Sequence, residues 1–218
     1  GDVVRSSFFA ESLYKEKNVN IYWFTSEAAI TLIAHNPFIK KISSEIRDFY
    51  NIDFDIVYNL EDELNFSELV HNLKYKKIIG AYISSDKLTY TSECSEWFDM
   101  GIISSFGKRK ADALKKINTR SHSQIFSDIF KVTKPIPKIY YNKIGENSIK
   151  NNALRILINP FAGNRWKSKE LNFNELYKLI RTINENFLND NELEIGLLGA
   201  GSDRIKNLQI QKDLTTEG

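Results

Sequence analysis

Cysteine is nearly absent. The single Cys94 excludes an internal disulfide, so packing and backbone hydrogen bonding must hold the chain together. Histidine is scarce too: His35, His71 and His122 lie far apart and show no metal-ligand spacing, so metal dependence is not expected, and the sequence assigns no cofactor. No stretch approaches the roughly 18 consecutive apolar residues of a spanning helix. No charged, then apolar, then small-residue signal pattern opens the chain, and a cytoplasmic protein is the expectation. Neither sign of charge dominates. Thirty Lys and Arg stand against 28 Asp and Glu, a net charge of +2, which gives no footprint of a dedicated nucleic-acid surface.

What is present is core-forming material. The 218 residues are 42% hydrophobic and 12% aromatic, ample for a globular chain of one or two domains. Short apolar runs alternate with amphipathic segments. Val4, Phe8, Phe9 and Leu13 form a helical stripe behind the opening Gly-Asp. NIYWFT (20–25) reads as a buried strand, Ser26 as the cap of the helix EAAITLIA, and Asn36-Pro37 as its stop. FDIVYNL (54–60) and KKIIGAYIS (76–84) read as strands around a short helix at 66–73, and SSDKLTYT as a hairpin. Helices follow in KRKADALKKI and SQIFSDIF.

The stretch from Lys131 to Asn152 carries two prolines and no period, as an interdomain connection would. Domains are therefore expected at 1–130 and 153–218. In the second, RILINP is a strand, FNELYKLIRTINENF a helix, and LEIGLLGAG a strand ending in a glycine turn before a helix from Ser202. This alternation implies an α/β fold with mostly parallel sheets, whose ligands bind beyond the carboxyl ends of the strands.

Several loops at such ends carry chemistry. Gly163, Arg165, Lys167 and Lys169, before a helix, have the parts of a phosphate site, though they read equally as a solvated basic turn. GAGSDR has G-x-G after a strand but Arg204 where a dinucleotide fingerprint needs glycine; Asp203 is suited to ribose hydroxyls, and a plain strand-to-helix turn is the alternative. NLEDE sets Asn59 and Glu61 at a strand end, either to orient a sugar or as a wet turn. Trp97 reads as a core anchor, Lys108 to Lys110 as a wet helix face, and Asp2 on spacing alone as a helix cap.

These segments together resemble the heptosyltransferases, glycosyltransferase family 9. GDVVRSSFFAES is similar to that family's G-D-V-hydrophobic-R/H-T/S opening, WFTSEAAITLIAHNPFIKKI to its second strand and helix, and YNLEDE to its N-L-D/E stretch. ILINPFAGNRWKSKEL resembles the start of its donor-binding domain and IGLLGAGSD its L-G-G-x-x-D/E turn. The resemblance implies a GT-B fold of two Rossmann-like domains. It also implies inverting, metal-independent transfer of heptose from an ADP-sugar to lipopolysaccharide core or another glycan or protein acceptor.

By that resemblance Asp2 is the catalytic carboxylate and Lys169 meets the donor phosphate. Arg165, Gly163, Trp166, Ser168, Gly199, Gly201 and Asp203 complete the donor side; Arg5, Asn59 and Glu61 are assigned to the acceptor. Leu171 departs from the family, which commonly has an aromatic residue there. The resemblance also implies a strand before Gly1 and further donor-domain elements after Gly218, so the chain is expected to be part of a longer enzyme, inactive and aggregation-prone alone. Peripheral association with the inner face of the membrane fits it as well. A noncatalytic nucleotide-sugar-binding module is the alternative, and an oxidoreductase built on GAGSDR a weaker one.

Overall fold

The computed structural model describes residues 2–141, 154–162, 167–187, 193–199 and 201–216. The chain divides into two compact units, Gly1–Lys143 and Ile144–Gly218. Both are α/β with mostly parallel strands.

The first unit opens with helix α1 (Asp2–Ser7) and α2 (Phe9–Lys17), followed by β1 (Ile21–Phe24), α3 (Glu27–Ile33) and β2 (Ile39–Ser43). β1 and β2 pair in parallel with α3 as the crossover. Ser26 takes the N-cap position of α3, but its hydroxyl makes no capping bond; its carbonyl accepts from the Ala29 N–H at 2.9 Å instead. Asn36 does more than stop a helix. Buried beside Pro37, its side-chain oxygen accepts from the Phe38 N–H at 3.1 Å and its Nδ2 donates to the Ser7 carbonyl at 3.3 Å, tying the end of α1 to this turn.

β3 (Asp53–Asn59), α4 (Leu64–His71) and β4 (Lys74–Ser84) make a second parallel crossover, and β5 (Lys87–Tyr90) pairs antiparallel with β4. The two-residue turn of that hairpin has Ser85 and Asp86 at φ 49° and 59°, the pair of positive angles that matches strand twist. Among the described residues the β1–β2 pair and the β3–β4–β5 sheet share no strand ladder. An edge-on contact of the Tyr22 and Phe54 rings at 5.6 Å links them.

After the short α5 (Ser95–Phe98) come α6 (Lys108–Ile117) and α7 (His122–Phe130). A reciprocal capping box of Ser121 and Gln124 starts α7. Ile125, Phe126, Ile129 and Phe130 from α7 close the main core with Phe9, Ile79, Ala81, Cys94 and Phe98. Phe9 and Phe130 meet at 5.1 Å between ring centroids, Tyr58 and Phe130 at 4.8 Å. Trp97 packs on the same core, edge-on to Phe126 at 5.0 Å, as an anchor.

In the second unit β6 (Leu154–Ile158) and β7 (Leu193–Leu197) pair in parallel around α8 (Phe173–Phe187), and α9 (Ser202–Thr216) follows. Leu176 and Ile180 of α8 and Ile210 of α9 form the core, with Ile158, Phe161, Ile195 and Leu197 against them. Asn172 and Glu175 start α8: each backbone N–H donates to the other's side chain, at 2.9 and 3.0 Å.

Candidate functional site

In the first unit, charged groups from three places in the chain act on one another near the carboxyl end of β3. Asp2 lies in the first turn of α1, where the helix N-terminus favours a carboxylate, and Arg5 Nη2 reaches its Oδ1 at 2.6 Å. Asp2 remains 75% exposed to solvent. Glu61 stands in the turn after β3. Desolvation first, then the carboxylates of Asp62, Glu63 and Asp2, push its carboxyl above the ordinary value. His122 begins α7, with its ring against Phe126 at 3.8 Å and edge-on to Trp97 at 5.2 Å. Burial first and then the charge of Arg5 hold the imidazole below its ordinary value, with Asp2 opposing. Its Nε2 is buried and has no hydrogen-bond partner among the described residues.

The group thus combines an exposed carboxylate, its guanidinium partner, a carboxyl biased toward its neutral form and an imidazole biased the same way. Such a set places an exposed carboxylate able to accept a proton from a hydroxyl beside two groups whose charged forms are disfavoured.

Asn59 does not join them. Only 5% exposed, its Nδ2 donates to Ser67 Oγ at 3.0 Å and to the Ala81 carbonyl at 2.9 Å, while its side-chain oxygen accepts from the Glu61 N–H at 3.3 Å. Its amide is committed to the fold, and what it does for the site is hold the turn that carries Glu61. Gly80 makes this possible: paired with Asn59 at φ +119°, it lets the two backbones approach so closely that a Cβ would sit 1.9 Å from the Asn59 carbonyl oxygen.

In the second unit, the loops beyond β6 and β7 meet. The loop after β6 closes through Leu171 N–H to the Pro160 carbonyl at 2.9 Å and Ala162 N–H to Glu170 at 3.4 Å. Ser168 and Lys169 lie exposed on its 3₁₀ turn, Lys167–Lys169. Gly163, Arg165 and Trp166 lie outside the described residues. At the end of β7, Gly199 admits no side chain, because a Cβ would come 2.7 Å from Asn207 Nδ2 and 3.0 Å from Asp203 Cβ. Gly201 adopts φ +55°.

Asp203, in the first turn of α9, is buried and takes Lys206 Nζ at 3.2 Å; the same ammonium lies 4.6 Å from the Phe161 ring centroid. Lys206 therefore joins the loop after β6 to the carboxylate after β7. One helical turn below Asp203, the Asn207 amide is buried with neither its nitrogen nor its oxygen partnered among the described residues.

The chain matches no family model, no curated protein and no solved structure. Among the described residues no group of His, Cys, Asp and Glu could hold a metal ion, and no helix is long and apolar enough to cross a membrane. A depression of about 340 Å³ on the β6–β7 sheet is lined by Arg155, Leu157, Glu194, Ile195 and Gly196, none of which belongs to either cluster.

His122, Lys206 and Asn207 are absent from the candidates that the sequence offers. Asn207 had a legible signal, since Asp203, Asn207, Ile210 and Leu214 recur at helical spacing and the face changes from polar to apolar along α9. His122 had none, because only folding brings α7 to α1.

Proposed function

We propose that the chain carries inverting, metal-independent transfer of heptose or a related sugar from an ADP-activated donor to a hydroxyl of a lipopolysaccharide core, another glycan or a protein, on a GT-B architecture of heptosyltransferase type. The observation that carries this reading is Asp2: a solvent-facing carboxylate in the first turn of α1, bonded by Arg5 at 2.6 Å and in the field of Glu61 and His122. In the proposed reaction Asp2 takes the proton of the acceptor hydroxyl as that oxygen bonds to the anomeric carbon. The bond from that carbon to the diphosphate oxygen breaks with its electron pair, and ADP leaves. Lys169, on the exposed turn before α8, stabilises the charge that grows on the leaving diphosphate. The buried Asp203 and the glycines at 199 and 201 offer a close backbone approach and a carboxylate for ribose hydroxyls.

The test uses the full-length protein with ADP-heptose and acceptor extract. Asp2→Asn lowers ADP release by about 10²- to 10⁴-fold, the usual effect of losing one general base, and leaves donor binding intact. Near-normal turnover would reduce Asp2 to a helix-terminal ion pair. The close i,i+3 spacing of Asp2 and Arg5, common on inert helices, favours one second reading, a noncatalytic nucleotide-sugar-binding module. Donor binding without ADP release by the parent protein would select it.

A further inference from the structure

Residues 102–117, the loop before α6 and α6 itself, concentrate charge that the rest of the chain lacks. They hold Lys108, Arg109, Lys110, Lys115 and Lys116 against Asp112, a net +4, while the remainder of the chain is net −2. None of the five cations forms an ion pair with a described residue, whereas Lys76, Lys77 and Arg120 are all paired with carboxylates. The same segment exposes large apolar side chains: Ile102 at 87%, Phe106 at 60% and Ile117 at 74%.

The loop is tied in place, so these side chains are held outward. The Ser105 N–H donates to Tyr90 Oη at 2.9 Å, Tyr90 stacks on Phe98 at 5.2 Å, and Ile103 packs against the core. α6 buries only Ala111 and half-buries Leu114. At about 100° per residue, Lys116, Arg109, Ala113, Ile117 and Lys110 share one outward arc of about 120°, and Lys108, Asp112 and Lys115 fall outside it.

We infer that this surface docks onto an anionic lipid bilayer, with Ile102, Phe106 and Ile117 entering the boundary of the acyl chains and Arg109, Lys110 and Lys116 meeting headgroup phosphates. Interleaved cations and protruding aliphatic groups match that interface, which offers both negative charge and apolar depth. A nucleic-acid duplex provides the charge but no apolar depth for Ile102 and Ile117, and a second copy of the chain would bring like charges together. The inference does not depend on the sugar-transfer reading.

The test is co-sedimentation of the full-length protein with vesicles of phosphatidylcholine alone and of phosphatidylcholine mixed with phosphatidylglycerol, at low and high salt. The parent protein partitions onto the anionic vesicles and not the neutral ones, and salt weakens it. Arg109→Ser, Lys110→Ser and Lys116→Ser combined lower that partitioning by about 100-fold. Ile102→Ser, Phe106→Ser and Ile117→Ser combined lower it too, chiefly the part that survives salt. All six positions are exposed, so an unchanged melting temperature verifies that both variants remain folded. Equal partitioning onto both vesicle types, or undiminished binding by the basic-residue variant, overturns the inference. A dimer in light scattering that the apolar variant dissolves assigns the surface to a second copy. Duplex DNA binding that ignores the apolar variant assigns it to nucleic acid; either outcome overturns the bilayer.

Discussion

Replacing Gly80 with alanine tests how β3 and β4 hold the turn that carries Glu61. Gly80 has φ +119°, a conformation essentially reserved for glycine, and an alanine there costs about 1–3 kcal/mol in backbone strain alone. The added Cβ would also lie 1.9 Å from the Asn59 carbonyl oxygen and 2.7 Å from its carbonyl carbon, and both are backbone atoms that no rotamer change can move aside. The strands must separate locally. That disturbs the Asn59↔Gly80 register, the Thr91 N–H to Gly80 carbonyl bond at 2.9 Å and the Asn59 amide bonds to Ser67 and Ala81. Losing two or three such bonds adds about 1 kcal/mol each. The expected total is about 4 kcal/mol, among the largest effects of a single substitution. Gly107→Ala is the internal control: it also has positive φ, +76°, but nothing lies within 4 Å of an added Cβ, so only the conformational cost of about 1–3 kcal/mol applies. Urea denaturation of both variants in the full-length protein measures the difference. Equal losses for the two would refute the steric account of the β3–β4 approach.

Three further outcomes follow from the same geometry. Lys169→Ala weakens ADP-sugar binding by about 1.5–3 kcal/mol, the worth of a hydrogen bond to a charged group, and unchanged affinity by calorimetry removes it from the donor site. Glu61 has a folded pKa raised above 4.5, so its charged form is disfavoured in the fold and the penalty appears as pH rises past that value. Glu61→Gln therefore stabilises the protein at neutral pH and not below about pH 4, and a gain that is the same at both would disprove the linkage. Glu93 is the opposite case. Its hydrogen bond from Lys77 at 2.7 Å is the largest cause holding the carboxyl at about 2 rather than 4.5, so it contributes stability above pH 4.5 that is lost as pH falls toward 2. Glu93→Gln flattens that stretch of the acid-unfolding curve, and an unaltered curve means that the pair is spent on solvent.

The long helices and most strands were legible because their residues repeat the period of the element. FNELYKLIRTINENF proved to be helical over its whole length, with Leu176 and Ile180 inward. β2 has no local signal: the sequence offers only a helix stop at Asn36-Pro37, and Ile39, Ile42 and Ser43 become a strand because β1 supplies the partner ladder. The candidate site divides in the same way. Gly199, Gly201 and Asp203 could be picked out because a glycine turn between strand and helix is a local signal. Asn59 was assigned to a ligand because it sits at a strand end, but the ladder facing it turns its amide inward.

By itself the sequence determined which segments could be helix or strand, that the chain would be α/β, and where the prolines of the connection fall. These depend on residues a few positions apart, whose propensities and periodicity act within a single element. Only the tertiary structure decided that Glu61 and His122 stand in the field of Asp2, that Lys206 spans Phe161 and Asp203, and that the basic helix α6 has almost no buried face. Burial and through-space charge depend on which distant segments pack together, and no local pattern encodes that distance.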